Sequence, residues 1–291
     1  MRKKGNRKKP FRIDIGELIK PQHIEPTDIK PLSPQEHALF SAMGGRRTEP
    51  KLALVPLVTL DVSDDIAEGW EPDDHAAGQP ILRSDTLGAR LAPLNNVPGT
   101  VRELVIGLDF GTSSTKVVLA DPSLNVGYAV PLVEAVGVNS YLLPSAMMET
   151  EDGFYTLSGQ GHRHADLKLA MLENMTDETA CARVCAFLAL VIRSARAWLY
   201  ETKSDQYLRA DILWTLALGQ PANPGDSERF RVHFEQLAKV AWALASEAGA
   251  IRVEVAQRTW SHREQLDLGD ELEVRAMAEL TAQIHGFVSS S

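Results

Sequence analysis

The sequence predicts an α/β fold, a mixed sheet with flanking helices, and three observations predict it. Between Arg102 and Asp121, two runs of aliphatic and β-branched residues are separated by Gly-Thr-Ser-Ser, as in paired buried strands. From Thr176 to about Lys203 the apolar residues take a helical period. Val184, Phe187, Leu188, Val191, Ile192, Ala195, Trp198 and Leu199 fall on one face. Beyond them, strand-like and amphipathic helix-like segments alternate, which is the signature of α/β layering.

In order along the chain, residues 1–100 read as a largely disordered leader. Stretches such as "KPQHIEPTDIKPLSPQEH" and "DVSDDIAEGWEPDDHAAGQP" hold too little apolar area to offset the entropy of ordering them. The apolar island Leu52 to Leu60 is placed to dock on the body or on a partner. Residues 101–291 form the folded region. Leu104 to Leu108 and Val117 to Leu119 are strands, "DPSLN" is a turn, and "VGYAVPLVEAV" offers a third strand. "YLLPSAMME" and "GFYTLSG" flank "TEDG" as a hairpin, and the long helix follows. "ADILWTLALG" is a fully apolar strand. The next segment carries cap-like Asp226 and Ser227, an amphipathic body and a terminating Gly249. "IRVEVA" is expected as a strand and "GDELEVRAMAELTAQIHGFV" as a closing helix.

The 291 residues, 44% hydrophobic and 24% charged, suffice for a substantial core. Six of the 30 Lys and Arg residues lie in the first ten positions, beside none of the 39 acids. The body is therefore more acidic than the net charge of −9 implies, which argues against nucleic-acid binding except through the basic tip. No apolar segment follows that tip as a signal peptide would require, and none is long enough for a membrane span, so a cytoplasmic protein is expected. Two cysteines, Cys181 and Cys185, four apart on the long helix, read as buried structural thiols.

The chemistry concentrates in "ELVIGLDFGTSSTKVVLAD", Glu103 to Asp121. Asp109 ends a buried strand, the position where ligands gather on α/β sheets. Gly111 lets the backbone approach an anion, and Thr112, Ser113 and Ser114 offer successive amides and small hydroxyls. Asp109 beneath bound phosphates suits a hydrated Mg²⁺ ion, which keeps most of its waters. The segment is not a P-loop: no Gly-Lys-Ser/Thr follows, and a strand rather than a helix comes next.

"IGLDFGTSSTKVVLAD" resembles the first phosphate loop of the actin-like ATPase superfamily, which has a ribonuclease H-like fold. "YLLPSAMMETEDGFYTLSGQGHRHADLK" and the strand, loop and Ala-rich helix from Ile212 to Gly249 resemble its seventy-kilodalton heat-shock chaperone branch. "VRAMAELTAQIHGFV" stands where that branch has a Glu-Pro-x-Ala-Ala helix, with Leu280 in place of the proline. The resemblance spans about Arg102 to Val288. It implies ATP or ADP with Mg²⁺ as ligands. Asp109 would organise the metal through water, and Gly111, Thr112, Ser113 and Ser114 would bind the β- and γ-phosphates. Lys168 would meet the γ-phosphate and attacking water, and Glu279 would position metal or water.

The family binds nucleotide between two halves, each with a phosphate hairpin, and this sequence carries one. The expectation is the first half of an actin-like nucleotide-binding domain, completed by a second chain or by further sequence in preference to a diverged, non-hydrolysing remnant. Such a half would hydrolyse ATP negligibly alone and, once completed, would couple hydrolysis to cleft opening and closing upon a protein client or co-factor. The rival expectations are a sugar-kinase-type phosphotransferase fragment and a non-catalytic actin-like scaffold module.

Overall fold

A computed structural model describes residues 59–61, 78–93, 100–221, 227–268 and 272–278, all within the compact unit Leu54–Ser291. Strand β1 (Thr59–Asp61) and helix α1 (Asp85–Ala89) precede the region read as folded. Then come β2 (Val101–Phe110), β3 (Ser114–Asp121) and β4 (Val126–Ala129), joined by tight turns. A 3₁₀ turn at Gly137–Tyr141 leads to β5 (Leu143–Pro144), β6 (Met147–Glu149), β7 (Phe154–Thr156) and β8 (His162–His164). The helices α2 (Leu167–Glu173), α3 (Glu178–Thr202) and α4 (Ser204–Tyr207) follow, then β9 (Asp211–Gln220) and α5 (Ser227–Ser246). β10 (Ile251–Arg252), α6 (Val253–Ser261) and β11 (Leu272–Ala278) close the described chain.

The main sheet has the order β1-β4-β3-β2-β9-β11, with β5 beside β3. β2, β3 and β4 form an antiparallel meander, whereas β9 lies parallel to β2, and β11 parallel to β9. The sheet is therefore mixed, with each parallel addition reached through helices. Period-2 alternation sets its faces. Leu104, Ile106, Leu108 and Phe110 of β2 are buried with Val117 and Leu119 of β3 and Ile212, Trp214, Leu216 and Leu218 of β9. Each such side chain contributes roughly 1.5–3 kcal/mol on burial. On the opposite face, Asp109, Val118, Leu213 and Met277 are exposed.

Helix α3 is buried along most of its circumference and organises the core. Asp177 caps its start by accepting from the amides of Thr179 (2.9 Å) and Ala180 (3.1 Å). Its two buried arginines cap another helix. Arg193 donates to the carbonyls of Leu244 (2.7 Å), Ala245 (3.3 Å) and Gly249, and Arg196 donates to Ala245 while stacking on Trp242. Both cations thus meet the negative end of α5, whose last carbonyls lack partners within the helix.

Several sequence expectations change. Two pieces of the stretch read as leader are structured: β1 pairs in parallel with β4, and α1 packs on α3. Residues 78–84, 90–93 and 100 are described as well, and the rest of that stretch, including the basic tip, lies outside the described residues. "IRVEVA" is strand only at Ile251–Arg252; from Val253 the chain is helical, because Ala256 and Trp260, one turn apart, are both buried on one face. The start of the expected closing helix is instead β11. "LEVRAMA" alternates half-buried Leu272, Val274 and Ala276 with exposed Glu273, Arg275 and Met277, and β9 supplies a parallel partner along its whole length. "YLLPSAMME" is broken into the 3₁₀ turn, β5 and β6, while its hairpin with β7 forms as expected. Among the described residues, no helix is long and apolar enough to cross a membrane.

Candidate functional site

Register places the candidate loop at the end of β2. Asp109 lies opposite Lys116 and Phe110 opposite Thr115, leaving Gly111, Thr112 and Ser113 as the turn. The Gly111 amide donates to the carbonyl of Ser114 (3.1 Å) and to that of Asp109 (3.2 Å), so the turn is pinched across its base. A Cβ on Gly111 would stand 2.5 Å from the Ser114 carbonyl oxygen, so the requirement for glycine is steric. Thr112 and Ser113 are exposed, and among the described residues nothing accepts from their amides. The Gly111 amide, by contrast, is spent inside the turn, so its part is to shape the loop.

The Asp109 carboxylate is half exposed and accepts from Lys116 Nζ at 2.9 Å. In water such a pair is worth less than about 1 kcal/mol, so the ammonium can leave the carboxylate for a better anion at little cost. Below the turn, Ser145 and Thr115 are buried. Ser145 Oγ donates to the Gly111 carbonyl (2.7 Å) and lies 2.9 Å from Thr115 Oγ1, and its amide donates to the Ser113 carbonyl (3.0 Å). Neither residue stood out in the sequence. The signal was there as hydroxyls at positions where strand alternation demands apolar side chains.

Lys168 lies on α2 and is buried, not turned to solvent. Its Nζ sits 5.8 Å from the centroid of the Phe110 ring, and that ring is 5.8 Å from Phe187 of α3. Phe110 immediately precedes Gly111, so Lys168 is brought to the end of β2 that carries the loop. A buried ammonium over an aromatic face is stabilised by the ring quadrupole. Glu279 lies outside the described residues. Asp109, the turn and Lys168 thus gather at one end of the sheet.

Among the described residues, Cys181, Cys185 and His233 do not form a rival centre. Burial pushes the Cys181 thiol up to about 12 and Cys185 further, so both stay protonated at neutral pH. His233, whose Nε2 is 3.8 Å from Cys181 Sγ, is held down to about 4 by burial, then by Arg263 and Arg229. A neutral thiol beside a neutral imidazole is not an activated nucleophile. Both cysteines are free and buried, as the sequence suggested. Among the described residues, no group of three or more His, Cys, Asp or Glu side chains gathers around a metal-sized site. A cavity of about 480 Å³, lined by apolar Ile81, Phe154 and Leu190 together with Arg83, Asp85 and Arg193, includes none of residues 109–114.

No protein-family model, no curated protein and no solved structure matches the chain.

Proposed function

We propose that residues 109–114 form the phosphate-binding turn of an actin-like ATPase of the heat-shock-chaperone type, and that the chain supplies one wall of its nucleotide site. The observation that carries this reading is the turn itself. A sterically required glycine sets two amides without acceptors into solvent beside an exposed carboxylate at the C-terminal end of a central strand. Such consecutive amides form an anion-binding concavity. The strand pattern supports the reading: an antiparallel meander, then two parallel strands reached through helices, is the layout expected of the first half of that fold.

The residues fit a magnesium nucleotide. Thr112 and Ser113 amides would receive phosphate oxygens, Lys116 and Lys168 would offset their charge, and Asp109 would accept hydrogen bonds from the metal's waters. Bound Mg²⁺ would neutralise charge on the phosphates. The chain's own contribution is positioning and electrostatics, which dominate phosphoryl transfer. One wall binds weakly, because clamping needs preorganised donors from the facing side, supplied by a second chain or a further part of the protein.

Titration of the full chain with ATP, with and without Mg²⁺, tests this by amide NMR. The expected result is saturable, magnesium-dependent shifts at Thr112 and Ser113. Shifts confined to other regions would count against the site.

A further inference from the structure

We propose that Ser145 is the positioning residue of this turn, fixing the Gly111–Thr112 peptide plane, whose amide meets phosphate, and anchoring the turn's far end at Ser113. The inference rests on the nucleotide reading above. It starts from peptide geometry: in a planar trans unit, the carbonyl and the following N–H point in opposite directions. Among the described residues every peptide bond is trans. Holding a carbonyl therefore aims the next amide.

Ser145 holds two such carbonyls from one buried position. Its Oγ donates to the Gly111 carbonyl at 2.7 Å, which turns the Thr112 N–H away from Ser145. Its own amide donates to the Ser113 carbonyl at 3.0 Å, which anchors the far end of the turn beside the same residue. With the Ser145 proton committed to Gly111, the 2.9 Å contact from Thr115 Oγ1 must carry the Thr115 proton. The result is a directed chain, Thr115 O–H to Ser145 O–H to the Gly111 carbonyl, in which each bond polarises the next. Both hydroxyls are shielded from water, with Ser145 3% and Thr115 0% exposed, so water does not substitute for them. The β5 pairing that seats Pro144 against Ser114 places Ser145 there, so β5 acts as a brace for the turn.

Preorganised donors matter because a loop that must order itself on binding gives up affinity. Replacing Ser145 by alanine keeps its amide and removes only the hydroxyl, which frees the Gly111–Thr112 plane. Thr115→Val is nearly isosteric and removes only the far end of the chain. In the full-length protein, Mg-ATP and magnesium tripolyphosphate are titrated against wild type, Ser145→Ala and Thr115→Val, with thermal unfolding followed alongside. Ser145→Ala is expected to weaken both ligands about 10-fold, or about 1.4 kcal/mol. It should also raise the amide mobility of Thr112 in the free protein. Thr115→Val should weaken binding less. A variant that stays folded and binds both ligands as wild type does overturns the role of Ser145 and leaves the nucleotide reading intact. Wild type that binds neither ligand overturns the nucleotide reading, and this role with it.

Discussion

Replacing Gly111 by alanine is the most local test of how the turn is built. The new Cβ would lie 2.5 Å from the Ser114 carbonyl oxygen. Carbon and carbonyl oxygen settle no closer than about 3.3 Å, so about 0.8 Å must be relieved. The carbonyl being struck is the one that the Gly111 amide holds at 3.1 Å, and backing away by that amount breaks the bond. The lost bond costs about 0.5–1.5 kcal/mol and the overpacking about 1–3 kcal/mol, all of it confined to the turn. Phe110 and Thr115 beneath it are fully buried and keep β2 and β3 paired. The expected outcome is a modest fall in melting temperature with an intact circular dichroism spectrum. Mg-ATP affinity should drop at least about 10-fold, because displaced amides no longer converge on one anion. Wild-type affinity in Gly111→Ala would refute the steric argument for the turn.

Three further outcomes follow from other parts of the structure. Lys168→Met keeps the length of a buried side chain beside Phe110; melting should change little, while Mg-ATP affinity falls, and unchanged affinity would remove Lys168 from the site. Gly88→Val should lower the melting temperature clearly, because even a Cβ there would stand 2.3 Å from the Arg193 carbonyl, forcing α1 off α3; unaltered stability would show that α1 does not depend on that contact. His233, held near 4 by burial, stays neutral in the fold while the unfolded chain takes up a proton near pH 6.5. Its contribution to stability is therefore complete above pH 6.5 and is lost as pH falls toward about 4. His233→Gln should flatten that slope in urea melts taken across the range, and an identical slope would assign the acid sensitivity elsewhere.

The elements that the sequence made legible are those with one strong period. β2, β3, β9, α3 and α5 were readable because each sets its apolar residues to one face or buries them throughout. The bounds of the two-residue strands were not, because β5 and β10 gain their hydrogen bonds from distant partners rather than from local pattern. β11 reads as helix from sequence because Ala, Met, Leu, Glu and Arg favour helices intrinsically, and the parallel edge of β9 overrides that preference. In the candidate site, the Asp109–Ser114 turn was legible as a motif, since its chemistry lies in consecutive residues. Its support was not. Ser145 reaches the turn across 34 positions, and the Lys116 contact to Asp109 depends on strand register. The burial of Lys168 likewise depends on how α2 seats against β2 and α3.

The central claim is that the turn after Asp109 receives a nucleotide's phosphates with a metal held at that carboxylate. Calorimetric titration of Mg-ATP into the full chain and its Asp109→Asn variant tests it most directly. Asp109 is half exposed and its pair with Lys116 contributes less than about 1 kcal/mol, so the variant should fold as wild type does. The prediction is measurable binding to wild type that requires Mg²⁺, with at least a 10-fold loss, about 1.4 kcal/mol, in Asp109→Asn. Equal binding with and without Mg²⁺, or no difference between the two proteins, would contradict it.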